Sequence, residues 1–360
     1  MISYKNYQID YASFFEQKKY HQEYVPLLKI QNMKILVTGG CGFIGSNFIH
    51  RFLEENPKSK IINLDAMKIG SNSKNFKNYS NTNYSFVKGN ICNKKLMKKL
   101  INKVDCVVNF AAESHVDRSI SDSSSFLKSN VYGVHVILDI LRDNKYVKLL
   151  QISTDEVYGE SLKKNCLEND ELNPSNPYAA TKAAAEMLIR SYVRTYDLQA
   201  KITRCTNNFG PRQYPEKLIP KTIISAMNNQ KIPVHGKGLA KRQWIHVFDH
   251  CDALSKIILK WPKSLIYNIS GNYETTNLDI VQKILTKMNK SKKLISFVSD
   301  RPGQDRGYRV NSSLITKELG FYPMMKPKTS LDSTVDWYIK NKAWWQSIPF
   351  KEVKNPTPWK

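Results

Sequence analysis

From Met33 onward the chain alternates short apolar runs with stretches of helical period. "KILVTGG" (34–40) reads as a buried strand entering a turn, "FIGSNFIHRFLEEN" (43–56) as a helix and "KIINLD" (60–65) as a second strand. "VDCVVNFAA" (104–112) and "VKLLQIST" (147–154) are further strands, separated by the helix-like "NVYGVHVILDILRD" (130–143). Such alternation predicts a Rossmann-type, doubly wound α/β fold around a parallel sheet. "NPYAATKAAAEMLIRSYVRTYD" (176–197) predicts a long helix: Asn176 suits the cap, Pro177 the first helical position, and the alanines the interior. After Asp197 the alternation weakens and prolines increase, which predicts a smaller, discontinuous C-terminal lobe. "RQWIHVFDHCDALSKIIL" (242–259) reads as a strand and helix returning to the main sheet. The expected organisation is an N-terminal extension over 1–32 and a Rossmann-type domain over 33–197 with returning segments near 234–256 and 302–326. The second lobe then takes 198–233 and 257–301, and a C-terminal helix and tail take 327–360.

Three motifs carry candidate chemistry. "TGGCGFIG" places Gly39, Gly42 and Gly45 between the first strand and first helix, where glycines let a pyrophosphate approach unpaired helix N–H groups. Asp65 follows Gly45 by twenty residues at the end of the next strand; a carboxylate there accepts ribose hydroxyls and repels a 2′-phosphate, favouring NAD over NADP. The alternative is a merely structural glycine turn. "YAATK" places Tyr178 and Lys182 on one helical face. A phenol is a poor base at neutral pH, with an ordinary pKa of about 10. A neighbouring ammonium, the charge of an oxidised nicotinamide and the helix N-terminus all favour phenolate. By itself the spacing is common by chance and reads as a surface tyrosine and lysine; its place downstream of a dinucleotide loop and of "STDE" reverses that and argues for function. "STDEVYGE" (153–160) sets Asp155 and Glu156 side by side. Adjacent strand residues face opposite ways, so both acids reach one crevice only if the strand has ended. The carboxyl ends of parallel strands are where open α/β sheets bind ligands, which weighs against a solvated acidic loop.

Composition narrows the class. The 360 residues are 41% hydrophobic and 24% charged, as in a soluble globular protein, and show no apolar run of membrane-spanning length. No signal peptide is expected, which points to the cytoplasm. Cys41, Cys92, Cys106, Cys166, Cys205 and Cys251 are scattered without metal-like spacing, so neither a metal site nor disulfides are expected. The net charge of +24 raises polyanion binding, but lysines are spread along the chain. Runs such as "NKKLMKKL" (93–100) suit solvated helix faces, and no specific nucleic-acid partner is expected.

Together these residues resemble the nucleotide-sugar 4,6-dehydratases of the extended short-chain dehydrogenase/reductases. The likeness is carried by "AAESHVDRSI" (111–120), "STDEVYG", "NPYAATKAAAE", "NNFGPRQYPEKLIP" (207–220) and "DRPGQDRGYRV" (300–310), and runs from Met33 to about Trp345. The acid pair beside the Tyr/Lys pair is its specific part, since related 4-epimerases ordinarily have only the latter. The resemblance implies NAD as cofactor, a homodimer, and conversion of UDP-glucose or dTDP-glucose to a 4-keto-6-deoxyglucose nucleotide and water, for rhamnose or other deoxysugar synthesis. It implies Tyr178 as base for the 4-hydroxyl, Lys182 on the nicotinamide ribose, and Thr154 on the hydroxyl. Asp155 becomes the general acid and Glu156 the general base. Phe43, Ile44, Asp65, Asn90, Ile91, Ala111, Ala112, Glu113, Ser114 and Asn208 would join the glycines around the cofactor. His115, Asn207, Lys217, Leu218, His235, Arg242, Asn277, Arg301 and Asp305, with Thr154, would hold substrate. Asn90 stands where bacterial members commonly carry Asp, and Gln304 where they carry His. "EKLIPK" (216–221), "PVHG" (233–236) and "DWYIKNKAWW" (336–345) look more like the UDP-glucose dehydratase domains of plant rhamnose synthases, which tilts the expected nucleotide towards UDP. The alternatives are a 4-epimerase of the same fold and a non-catalytic polyanion-binding protein.

Overall fold

The structure, a computed structural model, describes residues 32–77, 79–271 and 273–348. The expected extension up to residue 31 and the tail over 349–360 lie outside the described residues. Strands β1 (Lys34–Thr38), β2 (Lys60–Asp65), β3 (Tyr84–Lys88), β4 (Cys106–Asn109), β5 (Lys148–Thr154) and β6 (Ala200–Cys205) are joined by β10 (Ile266–Ile269). They form one seven-stranded parallel sheet, ordered β10-β6-β5-β4-β1-β2-β3. The inner strands are largely buried on both faces; β1 is buried from Ile35 to Thr38, as a sheet covered by helices on both sides requires. The strand order reverses between β1 and β4, and the crevice at that switch point is where such sheets take ligands.

Helix α1 (Phe43–Glu55) follows β1, α2 (Lys94–Ile101) follows β3, and α3 (Gly133–Arg142) precedes β5. Helix α4 (Pro177–Tyr196) starts as its sequence dictates: Asn176 accepts the Ala179 N–H at 2.9 Å and Pro177 takes the first turn. Leu36, Val107, Ile137, Leu149, Ile189 and Ile202 belong to the core on one side of the sheet.

The smaller lobe holds β7 (Asn207–Phe209), β8 (Ile232–His235), β9 (Lys241–His246), β11 (Tyr273–Thr276) and β12 (Ile295–Val298). They form a three-stranded sheet, β11-β9-β7, and a parallel pair, β12-β8. Helices α5 (Leu218–Met227), α7 (Asn277–Lys287) and α8 (Pro327–Lys340) share a core of Ile219, Ile223, Ile280, Ile284, Val335 and Tyr338.

Two expectations change here. The strand read from Arg242 does not return to the main sheet; it is β9, paired with β7 and β11, and only its helix α6 (Val247–Lys260) packs back, against α1. The segments that do join the main sheet are β6 and β10, both placed in the smaller lobe by the sequence boundaries. Apolar runs of four to six residues look alike in either sheet, and pairing partners are not written in them. The helix expected over 130–143 begins earlier, with a π-helical turn over Leu127–Tyr132.

Candidate active site

Above the switch point two cavities of about 300 and 430 Å³ meet at a seam lined from both sides by Glu156, Asn207, Asn208, Gln213, Glu216 and Lys217. The first lies over the glycine loop. Gly39 has φ +69°, and a Cβ there would stand 2.7 Å from the Ala111 nitrogen; one on Gly45 would stand 2.7 Å from the Gly39 carbonyl oxygen. The loop therefore accepts only glycine at these points. Gly42 caps α1 without a side-chain bond and no acid follows in the first turn, leaving helix N–H groups for an anion. Asp65, buried at the end of β2, accepts from the Cys41 N–H at 2.9 Å and from the Met67 N–H and Ser71 hydroxyl at 2.8 Å. Two carboxylate oxygens offer about four acceptor positions, so capacity remains for a ribose. Every residue expected around the cofactor lines this cavity: Phe43, Ile44, Asn90, Ile91, Ala111 to Ser114, Tyr178, Lys182 and Asn208 with the glycines and Asp65. This donor set fits a dinucleotide.

Beyond the end of β5 the chain turns into a 3₁₀ segment, Asp155–Tyr158, capped by Thr154 Oγ1, which accepts the Glu156 N–H at 3.3 Å. That turn answers the geometric difficulty of adjacent acids. Asp155 points to the first cavity and Glu156 lines both. Burial, reinforced by the charge of Glu156, pushes the Asp155 carboxyl up to about 8. Its Oδ1 accepts from Thr154 at 3.2 Å, while Oδ2 has no hydrogen-bond partner among the described residues. Asn176 donates to Glu156 Oε2 at 3.2 Å, so the cap of α4 also steadies the second acid.

Tyr178 corrects one expectation. Burial, then the nearby Glu156, Cys205 and Asp155, push its phenol well above its ordinary pKa, while the Thr154 hydroxyl favours phenolate. Lys182 donates to the Ile152 carbonyl at 2.5 Å, and burial lowers its pKa to about 8. Without the charge of a bound nicotinamide, the protein's own groups thus favour the phenol, because desolvation outweighs the helix terminus.

The second cavity gathers His115, Asn207, Lys217, Leu218, His235, Arg242, Asn277, Arg301 and Asp305. Thr154 is not among its lining; it faces the first cavity beside the acids. Arg242 donates to the Lys241 and Asp305 carbonyls and stacks over Tyr308 at 4.5 Å. Arg301 pairs with Asp117 at 3.1 Å, and Lys217 donates to the Ser114 carbonyl at 2.9 Å. Asp305 accepts from Ser175 at 2.7 Å and Tyr308 at 2.5 Å, which makes it a support for the wall. Burial together with Lys217, Arg118, Lys221 and Arg301 holds His115 well below the usual imidazole range. Such a cationic surround suits a dianionic ligand.

Sequence reasoning missed several contributors. Asn130, buried in the π-helical turn, accepts from the Glu113 N–H at 2.9 Å and donates to the Glu113 carbonyl and to Thr181 at 3.0 Å, fixing the wall segment to α4. A buried amide on an otherwise apolar helix face was the available signal. Ser119 accepts the Tyr178 N–H at 3.1 Å, and His250 meets Asn208 Oδ1 at 2.9 Å. Among the described residues no group of His, Cys, Asp and Glu is arranged to hold a metal, and no helix is long and apolar enough to cross a membrane.

Comparison with known proteins agrees with this geometry. The family model described as GDP-mannose 4,6 dehydratase matches residues 36–336. A low-salt glycan biosynthesis protein, Agl12, of Haloferax volcanii is 45% identical over 308 residues, spanning 85% of this chain and 99% of the relative. The dTDP-glucose 4,6-dehydratase of Streptomyces niveus is 39% identical over 331 residues, 91% of this chain and 98% of the relative. A crystal structure of dTDP-glucose 4,6-dehydratase from Bacillus anthracis in complex with NAD superposes with a TM-score of 0.82 at 42% identity, covering 87% of this chain and 99% of the other.

Proposed function

The chain belongs to the nucleotide-sugar 4,6-dehydratases of the extended short-chain dehydrogenase/reductases, and from that premise we propose that it converts dTDP-glucose, with NAD bound in the first cavity, to the 4-keto-6-deoxyglucose nucleotide and water. The observation that carries this reading is the pair Asp155 and Glu156 on one turn, the first lining the first cavity and the second lining both. An epimerase would need only Tyr178 and Lys182.

When bound, NAD supplies the acceptor that oxidises carbon 4 and returns the hydride at carbon 6. Tyr178 would act as a phenolate, which the positive charge of bound oxidised nicotinamide favours, and take the proton of the 4-hydroxyl with help from Thr154, while Lys182 would hold the nicotinamide ribose. Glu156 removes the carbon 5 proton, made acidic by the adjacent ketone. Asp155, whose carboxyl stays protonated to about pH 8, gives its proton to the 6-hydroxyl, which leaves as water. Glu156 then returns its proton to carbon 5, and the proton taken up by Tyr178 balances the one Asp155 gave away. Lys217, Arg242, Arg301 and His235 surround the nucleoside diphosphate. Their position in the second cavity supports this, and the likeness to dTDP-glucose 4,6-dehydratases supports the thymidine nucleotide. The plant-like "EKLIPK" and "PVHG" segments favour UDP-glucose as a second reading. In either case the product would feed deoxysugar synthesis, rhamnose included. The helices over 130–142 and 177–196 are the proposed contact between two copies of the chain.

Incubation with dTDP-glucose and with UDP-glucose, followed by mass spectrometry, tests the proposal. Loss of water, faster from dTDP-glucose, is expected; faster loss from UDP-glucose moves the assignment to the second reading. A mass-neutral product makes the protein an epimerase. Salt-sensitive binding of random DNA without turnover makes it a polyanion binder. Variants separate the two acids. Asp155→Asn should still oxidise carbon 4 but eliminate water about 10²–10⁴-fold more slowly. Glu156→Gln should lose most deuterium exchange at carbon 5, and Tyr178→Phe should block every step.

A further inference from the structure

The proton-handling groups come from separated stretches of chain: the end of β5, the turn after it, and α4. A buried ion pair ties these stretches together. Glu186 follows Lys182 by four residues and Tyr178 by eight on α4, so the three share one helical face. Arg204 on β6 is the register partner of Ser153, the residue before Thr154. Arg204 Nη2 and Nε lie 2.6 and 3.0 Å from Glu186 Oε2, and both side chains are fully inaccessible to solvent. Ser153 Oγ donates to Glu186 Oε1 at 2.5 Å. On its other side Arg204 donates from Nη1 to the Tyr158 hydroxyl at 2.6 Å and to the Glu168 carbonyl at 3.1 Å. Tyr158 closes the turn that bears Asp155 and Glu156, and its own hydroxyl donates to Asn268 at 2.9 Å.

A buried ion pair is a weak source of stability, because desolvation offsets the attraction; an apolar pair of similar volume often does as well. What an apolar pair cannot do is direct bonds into a strand, a helix and a turn at once. We propose that Glu186 and Arg204 are positioning residues that set Tyr178 and Lys182 at their working distance from Thr154, Asp155 and Glu156, an inference that rests on the dehydratase reading of the site. The Glu186 carboxylate also supports the Lys182 ammonium against the effect of burial.

The test uses the double variant Glu186→Leu/Arg204→Met, which replaces the pair with apolar volume and leaves no unpaired charge. Misplacement of reacting groups should lower kcat on the order of 10²-fold, with KM for the sugar nucleotide and the content of bound cofactor unchanged. The alkaline limb of the kcat profile should move to lower pH, since Lys182 loses its supporting carboxylate. Ser153→Ala and Tyr158→Phe each cut one tether without burying a charge. They should show smaller losses of kcat in the same direction, and they decide the matter if the double variant does not fold. Parental kcat and parental pH dependence in the folded double variant, or in both tether variants, would overturn the proposal and leave the pair a packing element. If the parent makes a mass-neutral product, the dehydratase reading fails alone. The same comparison of kcat and pH limb on that product then still decides the role of the pair.

Discussion

Asp155 shows how much a single residue's environment contributes that its identity does not. As a free carboxyl it would be ionised at neutral pH; buried beside Glu156 it keeps its proton to about pH 8. The same shift carries a stability cost with a definite sign. Below about pH 4 the carboxyl is protonated both folded and unfolded, so no cost arises. Between there and about pH 8 the unfolded chain ionises while the folded one does not, so stability falls as pH rises and levels off above the folded pKa. Asp155→Asn removes the ionisation. The variant is expected to be slower yet more stable than the parent at pH 8, with the difference vanishing at pH 4. A tenfold change in proton affinity is about 1.4 kcal/mol, so the gain reaches on the order of several kcal/mol, measurable as Tm against pH. Equal Tm values at pH 8 would mean that Asp155 is not desolvated.

At the scale of elements, the start of α4 does two jobs with one side chain. Asn176 accepts the Ala179 N–H through its oxygen and donates to Glu156 through its nitrogen. Asn176→Ala should lose both, at about 1 kcal/mol for the cap. Asn176→Asp keeps the cap but sets a second carboxylate against Glu156, so stability should be retained while turnover and carbon 5 exchange slow. Denaturant midpoints and exchange rates of the two variants distinguish the roles; parental exchange in Asn176→Asp would show that the contact does not matter to proton transfer. The cap itself was legible, since Asn-Pro before an alanine-rich run is a local signal. The donation to Glu156 was not, because it joins residues twenty apart through a turn whose geometry follows from the end of β5. For the same reason the strand at Arg242 was recognised as a strand and assigned to the wrong sheet.

At the scale of the whole molecule, large apolar side chains stand exposed on the Tyr178 helix and on the π-helical turn that packs against it. Leu127 and Tyr132, in the π-helical turn, and Met187 on α4 are 54, 51 and 47% exposed. Tyr132 and Met187 lie in the two segments proposed to meet a second copy of the chain, and Leu127 stands three residues before the first of them. Leu127→Glu/Met187→Glu should shift the protein from dimer to monomer in sedimentation at micromolar concentration. Weakening on the order of 10²-fold is expected, with about 1.4 kcal/mol for each factor of ten. A parental sedimentation coefficient would place the interface elsewhere or leave the chain a monomer.

The linear chain by itself determined what depends on period and local chemistry. The alternation of apolar runs set a doubly wound parallel sheet, the glycines of "TGGCGFIG" set the loop above it, and Asp65, Tyr178 and Lys182 followed from spacing. Tertiary structure alone decided what depends on neighbours distant in sequence. Seating Asp155 in the first cavity and Glu156 where the two cavities meet needed the 3₁₀ turn after β5. Holding Asp155 protonated needed its burial beside the charge of Glu156. Joining α4 to β5 and β6 needed Glu186 and Arg204 to meet in a space closed to water. Periodicity records which way a side chain faces, whereas desolvation and the geometry of pairing exist only once the elements have packed.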